Sequence, residues 1–229
     1  MKKPFQDIVN NARENTEDTM CLWDAAAKLG VLIQRDGTIF AAMDYDVEAD
    51  IIARVQQSAS LQGRKGYGYC MYLHAMAALG PTLLLSPDTT GLTKSALKLW
   101  ERFFEADELC KRSMYGTPAY RPCMDETFDE GVWLTNPHLL DSEWQAYEAL
   151  GELQQRIETG AVLPHLSNWG FALPDNHRLA FQKTIRPIEF TKLQQRVIYD
   201  YLTLAFQLEK TGYMIPMQLP KRTQTKLVE

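Results

Sequence analysis

Apolar residues recur at helical spacing along much of the chain. Phe5, Ile8, Val9 and Ala12 after Pro4 predict a short amphipathic helix over 4–14. A second helix is expected from Glu17 to Leu29, capped by Thr16 and stopped by Gly30. Val47, Ile51, Ile52 and Val55 share a helical face and predict a third over 47–60. Met71, Tyr72, Ala75, Met76 and Leu79 give a buried helix ended by Gly80-Pro81, and His74 inside it reads as a packed core residue. Leu97, Trp100, Phe103, Phe104 and Cys110 give a long helix from 94 to about 114. Ser142-Glu143-Trp144-Gln145 and Thr191-Lys192-Leu193-Gln194 are capping boxes that open helices over 142–158 and 192–210.

Two stretches follow a period of two instead. Asp36-Gly37 between β-prone runs predicts a hairpin over 31–42, because both central residues must accept positive φ. Trp169, Phe171 and Leu173, then Pro174-Asp175-Asn176, then Leu179, Phe181 and Ile185, predict a second hairpin over 168–185. The pattern therefore gives a mainly α-helical α+β fold, a helix-rich single core with two small β-hairpins. One principal domain is expected over 1–218, with an N-terminal sub-region at 1–61 and a flexible basic tail at 219–229.

Charge sharpens this picture. The net charge of −5 is split: residues 176–229 carry nine Lys+Arg against four Asp+Glu, while residues 1–175 carry 15 against 25. An acidic body with a basic end is compatible with nucleic acid, since phosphate contacts depend on local charge. The acidic run Asp125 to Glu130, in a proline-bearing connection over 115–139, reads as a solvated loop. No apolar run reaches the roughly 20 residues that span a bilayer, and no secretory pattern follows Lys2-Lys3. Four cysteines, far apart and without a Cys-x-x-Cys pair, suit reduced thiols in a cytoplasmic protein.

Candidate chemistry concentrates in Gln62 to Cys70, where three glycines accompany Arg64, Lys65, Tyr67 and Tyr69. Glycine lets backbone N–H groups approach a ligand, the cations favour an anion, and tyrosine rings offer stacking faces. The run lacks the Gly-Lys-Ser/Thr ending of a Walker loop, and a helix rather than a strand is expected before it, which argues against a dinucleotide fingerprint. Cys110, Cys123, His138 and His165 match no zinc spacing, and neither a Gly-x-Ser-x-Gly elbow nor a His-Glu-x-x-His run occurs. Ala25-Ala26-Ala27-Lys28-Leu29-Gly30 is weakly similar to a helix of DNA-reading helix-turn-helix units. No cofactor or metal is expected, and catalysis has no anchor. The second candidate contact is the basic end, where Arg178, Lys183, Arg186, Lys192 and Arg196 fall on the second hairpin and the start of the following helix.

Asn168-Trp169-Gly170-Phe171-Ala172, a polar turn, and His177-Arg178-Leu179-Ala180-Phe181 before a helix resemble the late hairpin of the small Cas8-like subunit of type IV CRISPR effector complexes. The likeness covers about 20 to 40 residues, and the cysteine pairs of that family's zinc-binding part are absent. It implies a subunit touching guide RNA or target DNA in a multi-protein assembly. The expectation is thus a non-enzymatic interaction subunit that meets protein subunits through its acidic body and an RNA or DNA backbone through its basic elements. The alternatives are a protein-binding regulator acting through the acidic surface, or an enzyme holding an anionic substrate on the glycine-rich loop.

Overall fold

The computed structural model describes residues 5–14, 18–48, 52–61, 66–81, 83–87, 94–106, 108–113, 166, 169–208 and 217–221. Along these the chain forms α1 (Phe5–Glu14), β1 (Thr19–Asp24), β2 (Leu29–Gln34), β3 (Ile39–Glu48), β4 (Ile52–Ser60) and α2 (Tyr67–Leu79). It continues with β5 (Leu84–Ser86), α3 (Lys94–Glu105), β6 (Cys110–Ser113), β7 (Trp169–Ala172), α4 (Asp175–Gln182), β8 (Ile185–Pro187) and α5 (Lys192–Leu208). The eight strands make one mixed sheet in the order β6-β7-β5-β4-β3-β2-β1-β8. The helix-rich core with two small hairpins is therefore corrected to a single large sheet with a few helices.

The correction has a physical cause. Cys21 to Asp24 in β1 and Ile52 to Val55 in β4 are buried on consecutive positions, so neither strand shows the alternation of a half-exposed one. Their apolar residues mimic helical spacing, and the expected helices over 17–29 and 47–60 give way to strands. The triple alanine lies in the β1–β2 turn, closed by the Ala27 N–H donating to Asp24 Oδ1 at 2.8 Å, with Lys28 at φ 55°. That placement removes the helix-turn-helix likeness.

The turn at Asp36-Gly37 joins β2 to β3, with Gly37 at φ 92° and the Thr38 N–H donating to Asp36 Oδ1. The second hairpin is absent. β7 pairs antiparallel with β6 and β5, β8 runs parallel to β1, and α4 lies between them. Pro174 starts that helix by accepting from the Arg178 N–H at 2.9 Å. Leu179 is 54% exposed while Phe181 is 3% exposed, so the apolar alternation there never shared a face. The helix expected to run to 114 ends at Glu105, and β6 follows. Helix 142–158 and the acidic run at 125–130 lie outside the described residues.

The chain divides into two compact units. The first comprises 1–45, 56–78 and 181–229. Its core sets Leu22, Leu29, Val31 and Ile39 of the sheet against Phe190 and the α5 residues Ile198, Tyr201 and Leu202. Buried Asp24 ties this core together, because its second oxygen accepts the Phe190 N–H at 2.7 Å. Residues 217–221 belong to the same core: Leu219 is buried, its N–H donates to Gly37 O at 2.8 Å, and Thr38 bridges Gln218.

The second unit comprises 46–55 and 79–180. Trp100 of α3 packs on Phe171 of β7 with ring centroids 5.3 Å apart, and Phe104 meets Trp169 edge-on at 5.1 Å. Arg54 is buried in this unit, held by both Glu48 oxygens at 2.6 and 2.7 Å, by Ser86 Oγ and by Pro87 O. Lys111 is also buried, its Nζ donating to Phe104 O at 2.6 Å. The one-domain expectation concerns the whole chain, whose remaining residues are not described.

Candidate functional site

The glycine-rich run follows a strand. β4 ends at Ser60, the Leu61 N–H still bonds Phe40 O at 2.8 Å, and α2 begins at Tyr67. After α2 the chain enters β5, which is parallel to β4, so β4, α2 and β5 form a strand–helix–strand crossover with Gly66 directly ahead of the helix. The helix expected ahead of these glycines had argued against such a unit. The β4–β5 ladder covers Ile52 to Arg54 only; Gln56, Gln57 and Ser58 continue beyond it and are exposed.

Gly66 adopts φ 115°, a conformation that L side chains rarely reach, and its carbonyl accepts the Cys70 N–H at 2.9 Å to open α2. The first N–H groups of any helix lack intrahelical acceptors and point toward the preceding turn, where they attract anions. Tyr67 is buried and stacked on Phe40, centroids 4.7 Å apart, so it packs the turn down rather than offering a free face. Tyr69 is half-buried. Ser58 Oγ and Tyr72 OH lie 2.5 Å apart and pin the exposed half of β4 to α2. Arg64 and Lys65 lie outside the described residues.

The basic end separates into two kinds of residue. Arg178 is half-buried and bonded to Asp175 on α4. Lys183, Arg186, Lys192 and Arg196 are exposed, on the turn after α4, on β8 and on α5. The capping box at Thr191 forms, with the Gln194 N–H donating to Thr191 Oγ1 at 3.2 Å and the Thr191 N–H to Gln194 Oε1 at 3.0 Å. Gln194 also donates from Nε2 to Pro220 O at 2.8 Å, which sets exposed Lys221 beside the first turn of α5. Sequence reasoning had put Lys221 in a tail, and only the capping glutamine's second bond reveals its place. The segments that resemble the Cas8-like hairpin are a strand and a helix.

His74 is enclosed by its own helix and by residues 181–184. The Nδ1–H donates to Cys70 O at 2.8 Å, Nε2 faces Thr184 Oγ1 at 2.8 Å, and Phe181 meets the ring edge-on at 5.0 Å. Thr184 Oγ1 itself donates to Phe181 O at 2.7 Å, and the Thr184 N–H donates to the same carbonyl at 3.0 Å. Burial pushes the imidazole down from its ordinary 6.5 to about 4. Because the folded value is depressed, the contribution to stability is whole above pH 6.5 and is lost as pH falls from there toward 4. The loss is about 3 kcal/mol at that shift. Chemical denaturation of wild type and His74→Leu across this range should give curves that diverge as pH rises; parallel curves would place the histidine in solvent.

Cys21 and Cys70 are buried thiols, and burial together with the neighbouring Cys70 raises the Cys21 thiol well above its usual range. Among the described residues no group of three or more His, Cys, Asp and Glu is placed to hold a metal ion, and no helix is long and apolar enough to cross a membrane. Compared with known families, curated proteins and solved structures, the chain shows no match.

Proposed function

We propose that the chain binds a phosphate-bearing small molecule at the turn between β4 and α2, with an extended, amide-bearing arm along the second half of β4. The observation that carries this reading is the succession of strand, glycine-rich turn, helix and parallel strand over β4, α2 and β5. A helix start following glycines offers backbone N–H groups and the positive end of a macrodipole. In the sequence Arg64 and Lys65 directly precede Gly66.

The arm follows from β4. Its exposed residues Gln56 and Ser58 lie past the last β5 pair, on either side of Gln57, whose N–H donates to Asp44 Oδ1 at 2.6 Å, and an extended chain binds a strand edge through N–H and C=O groups. A nucleoside diphosphate uses only the turn. Coenzyme A carries a pyrophosphate and two amides in one linear arm and uses both features. The proposed activity is therefore the binding of an acyl carrier, the anionic ligand that the glycine run suggests.

Thermal unfolding with coenzyme A, ADP and inorganic phosphate as separate probes tests the reading. Coenzyme A is expected to stabilise most, by about 2.7 kcal/mol at a hundredfold excess over its Kd. Gly66→Ala, strained at φ 115°, is expected to weaken it at least tenfold. Equal shifts with ADP and coenzyme A would remove the β4 arm, and no shift with any probe would remove the site.

A further inference from the structure

We infer that β8 and the first turns of α5 form a docking surface for the phosphate backbone of a nucleic acid, separate from the β4–α2 turn. Lys183, Arg186, Lys192 and Arg196 are exposed along one stretch of the first unit, and the Gln194–Pro220 bond adds Lys221. The exposed anions of the same stretch are Glu189 and Asp200, so cations exceed them five to two. Asp200 lies a turn beyond Arg196, which leaves the start of the helix the more basic part.

Three features favour a polyanion over a single small anion. The cations are distributed over a turn, a strand, a helix and the 217–221 segment, a spread that follows a chain of phosphates better than one group. The N-terminal end of α5 adds its dipole to them. Leu193 and Tyr199 stay 60% and 42% exposed on the same helix, and apolar or aromatic side chains beside cations suit sugars and unstacked bases. The sequence places Arg222 and Lys226 directly after this segment, in the same sense of charge.

The test measures fluorescence anisotropy of labelled single-stranded and duplex oligonucleotides with the full chain at several salt concentrations. With five phosphate contacts the duplex affinity should fall roughly 500-fold between about 50 and 200 mM salt, and the single-strand affinity somewhat less. Reversing Lys192, Arg196 and Lys221 to Glu should reduce low-salt binding at least thirtyfold while coenzyme A binding stays unchanged. The milder triple Gln variant should give an intermediate loss, which guards against a folding artefact. No binding at low salt, or binding indifferent to both variants, would overturn the inference. So would a protein partner whose capture these substitutions abolish while oligonucleotides fail to compete.

Discussion

Gly30→Val is expected to destabilise the protein by about 3 kcal/mol, the upper end of typical overpacking penalties. A Cβ at Gly30 would stand 2.4 and 2.5 Å from Trp23 Cζ3 and Cε3 and 2.8 Å from Met71 Cε. Met71 can swing aside, since methionine is flexible. Trp23 has little room, being 6% exposed and stacked on Tyr45 with centroids 5.3 Å apart. Gly30 and Trp23 are register partners in the β1–β2 pair, so the clash also forces the two strands apart. Urea unfolding should show a shifted midpoint with an unchanged slope. A wild-type midpoint would mean that the indole does not lie over the glycine.

Arg54→Ala should cost about 4 kcal/mol through loss of a buried, fully engaged charge. The contributions are unequal. The Glu48 side chain is 46% exposed, so its carboxylate can recover water once the guanidinium is gone. Ser86 Oγ and Pro87 O accept from Arg54 in a buried setting, and losing their donor costs about 1–3 kcal/mol each. The emptied volume of the arginine stem adds a cavity. Arg54→Met refills that stem and should recover roughly a third of the loss. Thermal or denaturant unfolding of both variants checks the order, and equal losses would assign the whole effect to the charge.

The contrast between strands and helices explains what the chain discloses about its fold. α2 and α5 lie where apolar spacing places them, because each has one end punctuated by glycine or a capping box. The Asp36-Gly37 turn is equally readable, since few residue pairs tolerate its dihedral angles. β1 and the first half of β4 are not, because covering both faces of a strand erases the period of two. That loss then hid the setting of the glycines. Their composition was plain, but their meaning depends on what precedes them, and a strand was mistaken for a helix.

The candidate surface was readable to a different degree. An excess of Lys and Arg after residue 175 shows in the sequence, and four of the five cations assigned there, Lys183, Arg186, Lys192 and Arg196, are exposed. Arg178 has a similar local sequence yet pairs with Asp175, a contact that exists only because Pro174 starts a helix. Tyr67 illustrates the same limit. Spacing cannot tell a stacking platform from a ring that seals a turn, and Phe40 is its partner from a distant strand.

The first unit is assembled from three separated pieces of chain, and its sheet edge and capping glutamine both depend on residues beyond 180. A nascent chain that has emerged only as far as the β2–β3 turn holds a hairpin whose inner face has no cover. Phe190, Ile198, Tyr201 and Leu219 arrive more than a hundred residues later. At typical synthesis speeds of about 5–20 residues per second, that exposure lasts on the order of ten seconds. During translation the early strands therefore need either a chaperone or the intervening chain as temporary shelter.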